Sequence, residues 1–346
     1  MKFRVDVSRG TALLLGNAAV LAALLGLVWA AGEIYYRYYF DSTDSFGLTK
    51  VSTRWFDRHY HFNRMGTRDN LDYTKHKVDS RRRITFIGDS FTAGHGIAAV
   101  DDRFVNRIRR AHPTQWEVHV FAANGYDTGK EVDLVESLPR KDYELDVLVL
   151  VYVLNDISDL VPEWTEIVAR IYRDVDHEGF LFQHSFFANE LYYRWRAARD
   201  PDIANYYAFL QSAYQGELWN EQQKRLTSLR DFCRDHGAQL IVVTFPLLHA
   251  LGPDYAYRSV HEQLASFWAG LSVPALDLYD VYAPYPPDQL VIGKRDAHPN
   301  RFAHELAAGA IGAFLERHIA PRAMQARPVE GREMIERPET GILGGP

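Results

Sequence analysis

The feature that most constrains this chain is a regular alternation of apolar, β-branched runs with helix-compatible segments from about residue 83 to residue 318. The apolar runs predict five strands, at 83–88, 117–122, 145–152, 239–245 and 273–277. Helices are predicted near 101–111, 128–138, 220–236, 256–270 and 301–318. This alternation is typical of a parallel sheet with helices on both faces, so we expect a three-layer α/β/α sandwich around a five-stranded parallel sheet.

Two further stretches lie outside this alternation. Residues 157–219 are rich in aromatic residues and too long for a simple crossover, so we expect a helical insertion within a domain that spans residues 83–320. Extra helices packed on the sheet are the first interpretation of this insertion. A lid over a site and a surface that rests on a bilayer are the alternatives. Residues 321–346 are poor in apolar side chains and are expected to form a disordered tail.

The N-terminal region predicts a membrane anchor. Residues 11–31 are uncharged and almost wholly apolar, and their number matches the roughly 20 residues that cross a hydrocarbon core. Basic residues precede this stretch and acidic residues follow it, so residues 1–10 are expected to stay cytoplasmic and the domain to be periplasmic or extracellular. A cleaved signal peptide is the alternative. Residues 32–82 then form a juxtamembrane segment that packs on the domain.

Charge balance and cysteine count exclude several classes of function. Acidic residues outnumber basic ones by 45 to 39 and no long basic stripe occurs, so we expect no nucleic-acid partner. Cys233 is the single cysteine, which excludes an intramolecular disulfide. The glycines of FTAGHGI do not complete a dinucleotide-binding fingerprint, and His59 and His61 lack a frame of further metal ligands in the sequence. We therefore expect no cofactor and no metal.

Residues with chemical potential follow the predicted strands at their carboxyl ends, the edge at which open parallel sheets bind ligands. Ser90 ends the first strand in the sequence ITFIGDS, and Asn155 follows the third. Asp296 and His298 follow the fifth, and the small residues of 122–125 follow the second. A serine hydroxyl acts as a nucleophile when it has a base, an acid that orients the base, and donors for an oxyanion. The predicted sheet edge collects all of these groups.

These residues resemble the markers of the SGNH or GDSL hydrolase family, which are a serine in a GDS turn, a glycine, an asparagine and a histidine. The resemblance covers residues 84–318 and is carried by IGDSFTAGHGI, VYVLNDI and DAHPNRFAH. The segment NRMGTRD at 63–69 is similar to one found in membrane-anchored members. The resemblance implies a flavodoxin-like, three-layer hydrolase that attacks carboxylic esters through an acyl-enzyme.

The resemblance also implies catalytic roles. Ser90 would be the nucleophile, His298 the general base, and Asp296 the acid that holds the imidazole tautomer. The acid and base of the family are separated by two residues, whereas the sequence DAH has one residue between them. Residues two apart in an extended segment point to the same side, so the contact stays possible. Asp280 and Asp288 are the reserve acids.

For the oxyanion, the resemblance implies three donors. The backbone N–H of Ser90 and the side-chain amide of Asn155 are two of them. Ala122 aligns with the glycine of the family that gives the third, a backbone N–H, and Gly125 is held in reserve. Val153 replaces a glycine that usually stands two residues before the asparagine, a change expected to affect the turn more than the chemistry.

We therefore expect a membrane-tethered serine esterase that acts on O-acyl esters, O-acetyl esters first among them, of an envelope or extracellular glycan. The substrate is inferred from location alone. An O-acyltransferase that passes the same acyl group to a polysaccharide is the first alternative. A non-catalytic envelope protein that binds a glycan or a partner is the second, and the replaced glycines and the shortened DAH spacing motivate it.

Overall fold

The computed structural model describes residues 9–77, 79–173 and 179–319. Its central sheet has five parallel strands in the order β2-β1-β3-β4-β5. These strands are β1 (Arg82–Gly88), β2 (Trp116–Ala122), β3 (Val147–Val153), β4 (Gln239–Phe245) and β5 (Ala275–Asp277). The expected five-stranded parallel sheet is confirmed.

The α-helices are α1 (Arg9–Ile34), α2 (Lys50–His59), α3 (Ser90–Ala93), α4 (Phe104–Ala111), α5 (Thr128–Arg140), α6 (Trp164–Tyr172), α7 (Phe180–His184), α8 (Phe186–Ala197), α9 (Pro201–Ala204), α10 (Leu210–Ala213), α11 (Gly216–Asp235), α12 (Arg258–Gly270), α13 (Tyr279–Tyr282) and α14 (Arg301–His318). A π-helix (Tyr35–Tyr39) continues α1, and short 3-10 helices lie at Val100–Asp102, Leu154–Leu160, Leu248–Ala250 and Pro287–Gln289.

Helices cover both faces of the sheet. Helix α4 packs with α14, while α5 packs with α11, whose Trp219 contacts Phe267 of α12 at 5.6 Å between ring centroids. Crossover connections between parallel strands are right-handed. The chain moves from β1 to β2 in one direction across the sheet and from β2 to β3, β4 and β5 in the other, so the connecting helices lie on opposite faces. All seven residues of β3 are fully buried, as expected for a strand covered on both sides.

A short antiparallel hairpin, β6 (Val291–Gly293) with β7 (Asp296–Pro299), was not predicted from the sequence. Its strands have three and four residues, too few to show the alternation of buried and exposed positions by which strands are found in a sequence. This hairpin carries two of the predicted site residues.

The insertion splits between two hydrophobic clusters. Leu210 of α10 belongs to the main core around the sheet. Ile171 of α6 and Tyr193 of α8 pack instead with Leu48 of the juxtamembrane segment, in a second and smaller cluster. The insertion therefore bridges the sheet and the juxtamembrane segment, and packing on the sheet accounts for only part of it.

Helix α1 and the π-helix that follows it form one 31-residue helix, Arg9–Tyr39. The most apolar window of this helix has a mean hydropathy of 2.2 and is fully exposed in the structure, so by length and composition it is able to cross a membrane. The predicted anchor, 11–31, lies within it. The predicted cytoplasmic segment 1–10 lies mostly outside the described residues, and the predicted tail 321–346 lies wholly outside them.

The juxtamembrane segment is tied into the domain by Arg68 of NRMGTRD. The guanidinium of Arg68 is buried and donates hydrogen bonds to the carbonyl oxygens of Ala93 and His59, at 3.2 and 3.0 Å, and to those of Gly94 and Ile97. Helix α2 of the same segment starts at an N-cap, Thr49, whose side chain accepts from the backbone N–H of Ser52 at 3.0 Å. The segment thus shapes the loop that follows Ser90.

Candidate active site

Ser90 stands where β1 ends, as the first residue of α3. The Asp89 carboxylate caps this short helix by accepting from the backbone N–H of Phe91 at 2.8 Å. The Ser90 hydroxyl is thereby held at the carboxyl edge of the sheet, and 8% of the residue is exposed. The position at the strand end follows from the local sequence, an apolar strand that stops on a capping aspartate.

The structure brings Ser90, His298 and Asp296 together in one chain of hydrogen bonds. Ser90 Oγ lies 2.8 Å from His298 Nε2, and His298 Nδ1 lies 2.6 Å from Asp296 Oδ1. Asp296 and His298 are two apart on β7, so both side chains point to the same side despite the shortened DAH spacing. With the proton of the ring on Nδ1, Nε2 is free to accept the proton of the serine hydroxyl.

The surroundings set the charges of this pair. Burial raises the pKa of the Asp296 carboxyl, but the imidazoles of His298 and His95 outweigh burial and hold that pKa well below its usual value. Burial, together with His95, lowers the pKa of the His298 imidazole by more than Asp296 raises it. At neutral pH the arrangement therefore pairs an ionised carboxylate with a neutral imidazole, the protonation state that a general base requires.

His95 is a site residue that sequence reasoning missed. Its ring stacks on that of His298, with centroids 3.9 Å apart and planes at 12°, and only 3% of the residue is exposed. Asn124 Nδ2 lies 3.2 Å from His95 Nδ1, which leaves His95 Nε2 as the donor that faces the Asp44 carbonyl oxygen at 3.0 Å and Asp296 Oδ2 at 3.4 Å. The available signal was a histidine between two glycines in the loop after the candidate nucleophile.

Residues 43–45 of the juxtamembrane segment also reach the site, and no sequence motif marks them. The Thr43 hydroxyl donates to Asp296 Oδ2. Ser45 makes two hydrogen bonds to the backbone of the hairpin. Its N–H donates to the Arg295 carbonyl oxygen at 2.9 Å, and its hydroxyl accepts from the Ala297 N–H at 3.0 Å. The strand that carries Asp296 and His298 is therefore held partly by the juxtamembrane segment.

The reserve acids take other positions. Asp280 is 87% exposed at its side chain and faces Arg258 at 3.4 Å. Asp288 lies on the wall of the cavity. Asp296 is the carboxylate that contacts the His298 ring, so the structure favours it over both reserves.

Of the proposed oxyanion donors, Asn155 and Gly125 line the same cavity as Ser90. Asn155 lies in the 3-10 helix after β3, in a turn fixed by Asp156, whose carboxylate accepts from the backbone N–H of Val153 at 2.8 Å. Ala122 lies within β2 opposite Gly88, outside the residues that line the cavity. Gly125 has a φ of 73°, a left-handed conformation that favours glycine. The cavity lining therefore favours Gly125 over Ala122.

A cavity of about 1120 Å³ opens above these groups. Its walls come from the juxtamembrane segment, the insertion and the β6–β7 hairpin, and they include the aromatic residues Phe46, Phe56, Tyr126, Tyr172, Tyr193, Tyr206 and Tyr207. Basic side chains, Arg194, Lys294 and Arg295, also line it. The volume exceeds that needed for a small ester alone and suits a larger substrate with flat apolar faces.

Among the described residues, His95, Asp296 and His298 also have the spacing of a metal site, with ligand atoms within 4.8 Å of one another. Each ring nitrogen of His298 already has a partner, Ser90 on one side and Asp296 on the other. The hydrogen-bond chain uses these atoms fully, so the arrangement fits proton transfer better than metal binding.

No family model matches the sequence, and no curated protein matches it. Solved structures similar to this one include a member of the lipolytic G-D-S-L family from Veillonella parvula (15% identity over 68% of this chain and 99% of that chain, TM-score 0.40). A psychrotrophic esterase from a Pseudoalteromonas species is 14% identical (68% and 98% covered, TM-score 0.42). A two-domain esterase active on acetylated mannans is 14% identical (68% and 49% covered, TM-score 0.37).

Proposed function

We propose that this protein is a serine esterase that cleaves O-acyl esters through an acyl-enzyme on Ser90. One observation carries the proposal: a hydroxyl, an imidazole and a carboxylate stand in line at 2.8 and 2.6 Å, at the carboxyl edge of a parallel sheet and on the floor of a cavity. This order of groups is the one that activates a serine for acyl transfer.

In the first step, His298 Nε2 takes the hydroxyl proton while Ser90 Oγ bonds to the ester carbonyl carbon. The carbonyl oxygen becomes an oxyanion, which we assign to three donors: the Ser90 N–H, the Gly125 N–H and the Asn155 side-chain amide. Collapse of this intermediate breaks the bond to the alkoxy oxygen, which leaves with the proton from His298. Water then loses a proton to His298 and attacks the acyl carbon, and release of the acid returns the proton to Ser90 Oγ.

We further propose that the protein is a single-pass membrane protein with its catalytic domain in the periplasm or outside the cell, held by residues 11–31. An uncleaved anchor is favoured over a signal peptide because the end of α1 is part of the fold. The Trp29 ring contacts the Phe187 ring of α8, with centroids 5.4 Å apart, so cleavage after Ala31 would remove a packed residue. It would also leave Glu33, whose carboxylate accepts from the Phe187 N–H at 3.0 Å, next to a new N-terminus. Residues 83–320 form the hydrolase domain in this proposal, and 32–82 pack on it.

We propose an O-acylated glycan, O-acetylated first of all, as the substrate. The cavity volume of about 1120 Å³ and its tyrosine-rich walls support a substrate larger than a simple ester. An O-acyltransferase remains the second candidate. The insertion contributes Tyr206 and Tyr207 to the cavity walls, and closure of such aromatic walls over an acyl-enzyme would favour transfer to a sugar hydroxyl over hydrolysis.

A fluorophosphonate probe tests the nucleophile. The full-length protein in detergent should be labelled, Ser90→Ala should lose the label, and His298→Ala should lose most of it. Ser266→Ala, which alters an exposed serine on α12, is the matched control and should label like wild type. Labelling of Ser90→Ala at the wild-type level would contradict the proposal, and failure of the native protein to label would favour a non-catalytic binding protein.

A second experiment separates hydrolysis from transfer. The protein is incubated with an activated acetyl ester, with and without a glycan acceptor. Free acetate in both samples supports the esterase. Acetylated glycan that forms with the wild-type protein but not with Ser90→Ala supports the transferase.

A further inference from the structure

Helix α1 does not stand apart from the domain but packs along α8 of the insertion. The Phe187 ring contacts Trp29, with centroids 5.4 Å apart, and stacks on Tyr36 at 6.0 Å. The same ring lies against the backbone of Gly32, where a Cβ would come within 2.7 Å of it. Trp29 belongs to the apolar run 11–31, so the start of α8 lies at the depth at which the predicted span ends.

Polar contacts fix this junction. The Glu33 carboxylate accepts from the backbone N–H groups of Phe186 and Phe187, at 3.2 and 3.0 Å, and so caps the start of α8. Arg37 donates to Glu33 from Nε at 2.7 Å and to the His184 carbonyl from Nη2 at 2.9 Å. His184 ends α7, so α7 and α8 are both held at the end of the apolar run.

Helix α7 presents apolar side chains to the outside at this depth. Phe180 is 77% exposed and Leu181 is 50% exposed. Just two residues separate α7 from Phe187, which contacts the span itself. A bilayer that surrounds the apolar run of α1 would therefore end close to α7, with Phe180 and Leu181 within reach of its surface.

We propose that α7 is a second membrane contact, in which Phe180 and Leu181 enter the interfacial region of the same leaflet in which the α1 span ends. Such side chains typically reach about 5–10 Å into the boundary between head groups and acyl chains. The proposal rests on the proposed membrane anchorage of α1 and is independent of the ester chemistry.

Two membrane contacts, the α1 span and α7, would fix the orientation of the domain relative to the bilayer, which a single span leaves free. Helix α8, which follows α7, carries Tyr193, Arg194 and Ala197 on the wall of the cavity. A membrane contact at α7 therefore holds one wall of the active-site cavity at a set height and angle above the bilayer. The active site would then reach substrates that lie at the same height above the bilayer as the cavity.

Nitroxide quenching measures the depth of α7 in the full-length protein. Cys233 is 1% exposed and burial raises the pKa of its thiol to about 12, so a maleimide fluorophore is expected to react only with an introduced cysteine. The variants Phe180→Cys and Leu181→Cys are labelled in nanodiscs of phosphatidylcholine and phosphatidylglycerol, with or without lipids that carry a nitroxide near the head group. Wild type is the labelling control, and thermal melting checks folding.

Two further positions calibrate the result. Val20→Cys lies in the middle of the apolar run, and Phe302→Cys replaces an exposed phenylalanine on α14 that packs on Tyr285. Nitroxide lipids should remove about half of the fluorescence or more at 180 and 181, and less than about a tenth at 302. Deeper nitroxides should quench the label at 20.

Quenching at 20 without quenching at 180 and 181 overturns the inference while it leaves the anchor intact. Absence of quenching at 20 overturns both. Fluorophosphonate labelling of Ser90 in the same nanodiscs reads the ester chemistry separately, so a failure of the proposed function does not mimic a failure of the membrane contact.

Discussion

His95 is predicted to position Asp296, so its replacement should change both the rate and the pH dependence of ester cleavage. His95→Phe keeps a flat ring against His298, 3.9 Å away, but removes the nitrogen that faces Asp296 Oδ2 at 3.4 Å. A hydrogen bond to a charged group contributes about 1.5–3 kcal/mol. Because 3.4 Å is a long distance, we take the lower end, ~1.5 kcal/mol, which predicts an approximately tenfold loss of kcat/KM, mostly in kcat.

The pH profile gives a second and more specific readout. Burial and His95 both lower the pKa of His298, so this pKa should rise when His95 is removed. Only the neutral imidazole accepts the serine proton, and the acid limb of kcat/KM should therefore move to higher pH in His95→Phe. The assay follows hydrolysis of an activated acetyl ester from about pH 5 to about pH 9. His249→Phe is the matched control, because His249 also lines the cavity but its ring contacts that of Tyr207, with centroids 4.8 Å apart, and not the His298 ring.

The charges of His249 and His298 also interact, but His95 has the larger effect on the pKa of His298, so the acid limb of His249→Phe should move less than that of His95→Phe. A His95→Phe enzyme with wild-type kcat/KM and an unmoved acid limb would refute the positioning role. A loss of rate that accompanies a lower Tm, again with an unmoved limb, would show that His95 acts only through packing.

Three further changes test other parts of the site. Asn155→Ala should lower kcat by about 10²–10³ while fluorophosphonate labelling of Ser90 continues, and an unchanged kcat would remove Asn155 from the oxyanion site. Thr43→Val removes the hydroxyl that donates to Asp296, so kcat should fall without a comparable change in KM; wild-type kcat would contradict this. Burial, with Asp89 and Asp127, raises the pKa of Glu131 well above its usual value, so the folded state binds more protons than the unfolded state above about pH 4.5. Between about pH 5 and about pH 8, the free energy of unfolding of wild type should therefore fall relative to that of Glu131→Gln. Urea denaturation at several pH values measures both, and the same pH dependence in the two proteins would contradict a raised pKa of Glu131.

The sheet could be predicted because its strands are buried on both faces. A run such as VLVLVYV at 147–153 has no polar position, and only a covered parallel strand or a buried helix tolerates that composition. The same logic located Ser90, since an apolar strand that ends on Gly-Asp-Ser must present its next side chain at the sheet edge. These inferences depend on one short segment each, which is why they could be made from the sequence.

The choice between Ala122 and Gly125 as oxyanion donor depends on how one local pattern, AANG at 122–125, is interpreted. The alignment of AANG placed Ala122 at the donor position, but an N–H points into a cavity only where the backbone turns out of the strand. Asn-Gly is a strong turn signal, and Gly125 does adopt a positive φ. The turn and the cavity lining therefore favour Gly125, and its role as a donor stays a prediction.

His95 and residues 43–45 could not be found in this way, because their roles come from tertiary contacts. Thr43 and Asp296 are separated by 253 positions in the chain, and His95 meets Asp44 across 51. No periodicity or motif in a single sequence records such pairs. The juxtamembrane segment is expected from the sequence to pack on the domain, but the sequence does not show that it contacts Asp296.

This packing has a consequence for where the catalytic unit begins. A chain cut at residue 83 keeps every predicted site residue but leaves Asp296 Oδ2 without Thr43 and His95 Nε2 without the Asp44 carbonyl, both in buried surroundings. A buried polar group that loses its partner costs about 1–3 kcal/mol. We therefore expect residues 32–346, which keep the contacts of Glu33 with α8, to retain the esterase activity of the full chain in detergent, and residues 83–346 to lose most of it. Equal activity of the two would show that the segment next to the anchor serves attachment alone.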